Sequence, residues 1–176
     1  YRESFFKKKG KGKFIITAVY FRLNKNPKVN ISYGAIASTL EGWAVKDPDI
    51  HDVSRAVIYI RQSKLPDPEV IGNGGSFFKN PVVDEIIFRK LENKFPNMPH
   101  YKVPQDLNKI PAGWLIENTG WKGKKVGDCG VHEKQALVLV NHGKATGLEI
   151  WSLAQEIIKS VENQFGIVLE PEINII

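Results

Sequence analysis

Gly72-Asn73-Gly74-Gly75-Ser76-Phe77-Phe78-Lys79-Asn80-Pro81 is the stretch on which the fold turns. It opens on three glycines and an asparagine, which reads as a glycine-rich turn. Two nucleotide-binding folds use glycines in this way, and both need a helix directly behind them so that free amides meet a phosphate. Here the bulky run Ser76-Phe77-Phe78 follows, and Asn80-Pro81 breaks the chain again. There is no GxGxxG spacing, so the Rossmann and P-loop readings fail on context. The mixture of strands and helices on either side argues for an α+β fold.

Toward the amino end, Leu65-Pro66-Asp67-Pro68 cannot continue a helix, because each proline lacks an amide hydrogen and restricts the residue before it. A hinge between subdomains is expected there. The helix that stops at it starts on an Asp49 cap, ends near Lys64, and carries Ile50, Val53, Val57 and Ile60 on one face. Residues 13–23 alternate β-favouring side chains and predict a buried strand, and a shorter strand is expected over 29–32 after the Asn26-Pro27 turn. Toward the carboxyl end, the pattern predicts helices over 82–94 and 112–118 and an apolar strand over 136–140. Thr146-Gly147-Leu148-Glu149 fits a capping box. The helix behind it places Ile150, Leu153, Ala154, Ile157 and Val161 on one stripe and stops at Gly166, with a last strand over 167–169.

The 176 residues, 42% apolar and 25% charged, suffice for one large or two small globular units. The single cysteine, Cys129, excludes an internal disulfide. With His132 it makes only a two-ligand Cys-x-x-His pair, too few for zinc, so no metal is expected. A reducing cytoplasm fits this cysteine usage, and no apolar run approaches the roughly 20 residues of a membrane span. The net charge of +6 comes partly from Lys7, Lys8, Lys9, Lys11 and Lys13, which read as a mobile basic loop. Neither aromatic interleaving nor a nucleic-acid motif accompanies these lysines, so no nucleic-acid partner is expected. No apolar stripe demands a dimer, and a monomer is expected. Because the sequence opens without methionine on what looks like the middle of a domain, it reads as a fragment.

Six ordered blocks carry a resemblance that spans nearly the whole chain. They are Tyr1-Arg2-Glu3-Ser4-Phe5-Phe6-Lys7, Lys64-Leu65-Pro66-Asp67-Pro68, the 72–81 stretch, Ala112-Gly113-Trp114-Leu115-Ile116, the 131–141 stretch (VHEKQALVLVN) and Leu169-Glu170-Pro171-Glu172. Together they resemble the C-terminal part of the UDP-N-acetylenolpyruvoylglucosamine reductases, in the long-chain branch that closes a tyrosine loop over its substrate. The resemblance implies a flavoenzyme of peptidoglycan precursor synthesis. FADH2 would reduce the enolpyruvyl group of UDP-GlcNAc-enolpyruvate to UDP-N-acetylmuramate, with NADPH as the co-substrate that reloads the flavin. It implies three parts: residues 1–65 as the end of the FAD-binding domain, 66–166 as the substrate-binding domain and 167–176 as a return strand. FAD would be held largely by an N-terminal half outside this sequence, leaving the fragment alone inactive. A nucleotide-sugar binding module without catalysis is the alternative.

The same resemblance assigns residues. Arg2 matches the arginine that supports the developing enolate, Ser76 the proton donor and Glu172 the second catalytic group. Glu172 is expected to be protonated or to orient the other two, because a bare carboxylate would repel the growing charge. Tyr33, Lys64, Asn80, Tyr101, Lys122 and Gln135 match substrate contacts. Lysine and tyrosine suit a diphosphate and an amide suits a base or ribose edge. Arg61 matches a residue close to the active site and stands as the cofactor-side candidate. The lysine-rich 7–13 stretch and the longer spacing from Tyr33 to Lys64 depart from the family pattern and leave loop geometry open.

Overall fold

A computed structural model describes residues 4–173 and 175, which fall into two compact units divided between Ala56 and Val57. In the first unit, a 3-10 turn over Phe5–Lys7 is capped by the Ser4 hydroxyl; Phe6 packs edge to face on Phe5 and Phe14, and the Phe5 and Phe14 rings meet at a tilt. Gly10 sits against the Phe5 ring, where a Cβ would come within 2.6 Å of ring carbon. The expected buried strand over 13–23 does not form: the segment has no ladder, and Ile15, Val19, Tyr20, Phe21 and Leu23 are exposed; residues 29–32 likewise form no ladder. Extended chain becomes a strand only by pairing, and no segment among the described residues pairs with either one. Helix α1 (Ile36–Gly42) buries Ile36 and Leu40.

Helix α2 (Ile50–Lys64) begins where expected. Asp49 Oδ1 accepts from the amides of His51 and Asp52, and the Asp52 carboxylate returns a bond from the Asp49 amide. That backbone bond is the main reason the Asp52 pKa is lowered, with the Arg55 guanidinium at 2.6 Å adding to it.

The second unit carries the core. β1 (Gly72–Ser76), the segment read as a turn, is a strand paired antiparallel with β7 (Val138–Asn141). Ladder bonds to β7 override the low strand propensity of glycine, and the irregularity between Asn73 and Ser76 is accommodated by Gly75 at φ 73°. β5 (Lys125–Val126) and β6 (Cys129–Val131) complete a sheet in the order β1-β7-β6-β5. β2 (Val82–Val83), β3 (Tyr101–Val103) and β4 (Leu107–Lys109) form a second sheet, ordered β2-β4-β3.

The helix expected from 82 starts later, as α3 (Glu85–Lys94), because Val82 and Val83 pair with β4 and Asp84 caps the helix through the Ile87 amide. Helix α4 (Ala112–Asn118) has the expected bounds. Helix α5 (Gly147–Phe165) has the full capping box of Thr146 and Glu149, buries Leu153, Ala154, Ile157, Val161 and Phe165, and ends on left-handed Gly166. Residues 167–169 alternate buried and exposed side chains without a ladder, and pairing begins only at the Pro171 bridge to Phe78.

α5 packs on β6, β7 and α4, so that Phe78, Phe88, Ile110, Leu115, Ile116, Ile157 and Leu169 close one core. Helices and antiparallel sheets segregated in this way make the fold α+β.

Candidate active site

One cleft of the second unit, about 370 Å³, gathers Asn80, Tyr101, Lys122 and Gln135, which the sequence spreads over 56 residues. Each is delivered by a different piece of local structure. Asn80 follows β1, and its Oδ1 accepts from the Ala112 amide at 2.9 Å, supplying the cap that the Pro111 side chain cannot give to α4. A backbone donor at that oxygen fixes the amide orientation and leaves the Nδ2 hydrogens for a ligand. Tyr101 opens β3 directly opposite Lys109 on β4, whose ammonium lies 5.3 Å from the ring centroid. Lys122 follows α4 and pairs with Glu117 at 2.8 Å. The Gln135 side-chain oxygen accepts a long bond of 3.4 Å from the Leu137 amide, while its backbone carbonyl accepts from the Val138 amide at 3.0 Å.

Trp114 lines the same cleft and meets Phe95 edge to face and Phe165 at a tilt, tying the wall to the far end of α5. Gly113 leaves room for Gln135, whose Oε1 lies 3.5 Å from where a Cβ would stand. Glu117 and Lys134 also line the cleft and escaped the sequence reading. The i to i+5 spacing of Glu117 and Lys122 is not a helical pair, and only the reversal at Gly120, φ 78°, brings them together.

Ser76 and Glu172 lie on segments that are joined by backbone bonds elsewhere in the same unit. The Glu172 amide donates to the Phe77 carbonyl at 2.7 Å, and the Lys79 amide donates to the Glu170 carbonyl at 2.8 Å. The 170–172 segment is thus bonded to the chain immediately after Ser76, and Phe78 and Pro171 form the bridge between them. The Lys79 ammonium reinforces the seam with a 3.0 Å ion pair to Glu170. Nearby, Arg61 and Gln62 from the last turn of α2 share a cleft with Asn73 and Gly75 of β1. No atom lies within 4 Å of the Cβ position at Gly75, so that face of the strand is open. Lys64 is exposed at the end of α2.

Tyr33 belongs to the first unit, exposed just ahead of α1, and its carbonyl accepts from the Ile36 amide. Arg2 lies outside the described residues, as do Tyr1 and Glu3 of the same motif. Cys129 is buried in β6, where desolvation pushes its thiol pKa up, and burial pushes His132 down. Among the described residues no group of three or more His, Cys, Asp or Glu side chains could hold a metal, and no helix is long and apolar enough to cross a membrane.

Residues 67–176 match the family model for the UDP-N-acetylenolpyruvoylglucosamine reductase C-terminal domain. The relative from Flavobacterium johnsoniae, described as UDP-N-acetylenolpyruvoylglucosamine reductase, is 53% identical over 177 residues, covering 100% of this chain and 52% of its own length. Proteins of the same description from Amoebophilus asiaticus and Chromobacterium violaceum are each 49% identical. They are matched over 100% and 98% of this chain and over 52% and 50% of their own lengths. The chain therefore spans about half the length of the curated relatives it matches. With the core of the second unit and its polar cleft both inside the matched segment, the chain belongs to the UDP-N-acetylenolpyruvoylglucosamine reductase family, to which it contributes a C-terminal domain.

Proposed function

We propose that this chain is the substrate-binding part of an enzyme that reduces the enolpyruvyl group of UDP-GlcNAc-enolpyruvate to UDP-N-acetylmuramate in peptidoglycan precursor synthesis in the cytoplasm. The observation that carries the reading is the convergence of Asn80, Tyr101, Lys122 and Gln135 on one cleft. A cation and a phenol serve the diphosphate, and two amides serve the base, ribose or sugar. Lys64 adds a second cation for the diphosphate, and Tyr33 supplies a further substrate contact.

FAD, when bound and reduced, supplies the hydride for this reaction, and NADPH restores it. Toward FAD the chain offers Arg61 and Gln62 beside a strand face open at Gly75, in a cleft that Leu65, Pro66 and Val138 also line, a mixture of polar and apolar groups that suits the ring end of a flavin. The pyrophosphate end belongs to the half of the relatives' length that this chain does not span. In this reading residues 1–65 end the flavin domain, 66–166 bind substrate and 167–176 return to the flavin half.

The chain's own residues handle charge and protons. Arg2 holds the substrate carboxylate, onto which negative charge spreads as one vinyl carbon is reduced, and its planar fork suits two parallel bonds. Ser76 Oγ–H gives its proton to the other vinyl carbon, a transfer made feasible by the strong basicity of a carbanion-like centre. Glu172, bonded through its backbone beside Ser76, orients that hydroxyl.

Isothermal titration of UDP-GlcNAc-enolpyruvate into this chain, beside Lys64→Ala and Lys122→Ala, tests the reading. Each substitution should weaken binding about tenfold, the effect of losing a charge-assisted contact. Binding that survives both changes undiminished would remove the diphosphate assignment. Substrate-dependent NADPH oxidation by a protein of the relatives' full length separates catalysis from a binding module, which would give no turnover.

A further inference from the structure

The cleft contains a carboxylate that an anion site does not need. Glu117 lines it together with Lys122 and Lys134, and its Oε1 holds the Lys122 ammonium at 2.8 Å. Nothing about the stability of α4 calls for an acid there. Glu117 stands in the last turn of the helix, where unsatisfied carbonyls already present negative charge and a carboxylate is disfavoured. The Glu117 side chain is 51% exposed and that of Lys122 33%, so solvent screens the pair and it adds little to folding. The chain nevertheless reverses at Gly120 and brings Lys122 back onto Glu117.

We propose that Glu117 is a stand-in anion, a positioning residue that holds Lys122 at the cleft until a ligand diphosphate takes its place. This rests on the reading of Lys122 as a diphosphate contact. With the cleft empty, the carboxylate neutralises the ammonium and fixes a long, otherwise mobile side chain beside Trp114 and Lys134. On binding, a phosphate carrying more charge and more acceptor oxygens exchanges for one carboxylate oxygen, so Lys122 changes partner without being stripped bare. Ligands without a diphosphate cannot make the exchange and face a neutralised lysine. Glu117 thus competes with any anion that would engage Lys122, and a diphosphate, with the most charge and acceptor oxygens, displaces it most readily.

The experiment is a double-mutant cycle read by isothermal titration of UDP into the chain, using wild type, Glu117→Gln, Lys122→Met and the double variant. Glu117→Gln should bind UDP about twofold to fivefold more tightly, because the competing exposed ion pair is gone. Glu117→Asp, whose shorter arm stretches the pair, should fall between wild type and Gln. Lys122→Met should weaken UDP about tenfold, and in that background Glu117→Gln should bring no gain. Unchanged or weaker UDP binding by Glu117→Gln overturns the proposal. So does a gain that persists at full size without Lys122, which would make Glu117 a source of general repulsion. If Lys122→Met alone leaves UDP affinity unchanged, the diphosphate reading of the cleft fails instead. Both positions are solvent-exposed, and thermal melts of each variant should match wild type within a few degrees.

Discussion

Gly166 ends α5 at φ 67° with no atom within 4 Å of where a Cβ would stand. Space is therefore not the obstacle to a side chain there; the left-handed backbone is. Gly166→Ala should cost about 1 kcal/mol, seen as a melting temperature lower by several degrees with the fold retained. This glycine was legible in advance, since a glycine after the last residue of an apolar stripe is a helix stop. Other single residues were not. The role of Asn80 as the cap of α4 links positions 32 residues apart, and no local pattern announces it. Glu117 and Lys134 look like solvated charges in the sequence and become cleft residues only when the chain reverses around them. Asn108, buried with its Nδ2 donating to Glu85 at 2.7 Å, was equally silent. Its side chain holds the Glu85 carboxyl below its ordinary range, with Arg89 adding to the effect.

The elements read best where the signal was local. α5 carries its start in Thr146 and Glu149, its buried face in five stripe positions and its stop in Gly166. The Thr146 amide and hydroxyl both donate to Glu149 Oε2 at 2.7 Å, and these bonds lower the Glu149 pKa, the backbone bond most. Thr146→Ala should remove about 1 kcal/mol of stability at neutral pH. For Glu149, a folded-state pKa below the ordinary 4.5 means that its contribution is complete above 4.5 and disappears as pH falls through the lower folded value. Melting curves of wild type and Glu149→Ala should differ at pH 7 and converge as the pH is taken progressively below 4.5. The hairpins show the opposite case. β3 and β4 turn through Gln105 and Asp106, both with positive φ, so the asparagine and glycine that normally mark such a turn are missing. β5 and β6 do carry Gly127-Asp128 at their turn, a readable signal beside strands too short to show alternation.

At the scale of the molecule, the sequence showed the α+β class and hid the pairing. Glycines 72, 74 and 75 have turn composition, and only β7, more than sixty residues later, makes a strand of them. Residues 13–23 have strand composition, and no described residue pairs with them. Propensity was outvoted by the presence or absence of a partner in both cases. Phe78 ties these long-range connections to the core: it is fully buried, packs its ring at a tilt against Phe77 and bridges to Pro171. Phe78→Ala should therefore cost about 3–5 kcal/mol by denaturant unfolding, enough to threaten the fold of the second unit.

The 72–79 segment takes its hydrogen bonds from 137–141 on one stretch and from 170–172 on the next. Both partners are synthesised long after it. When Ser76 is made, its strand has nothing to pair with, and the chain must grow by nearly a hundred residues before the seam at Glu172 can close. Throughout that interval Phe77 and Phe78 are uncovered, and this is the period in which a nascent chain has most need of a chaperone.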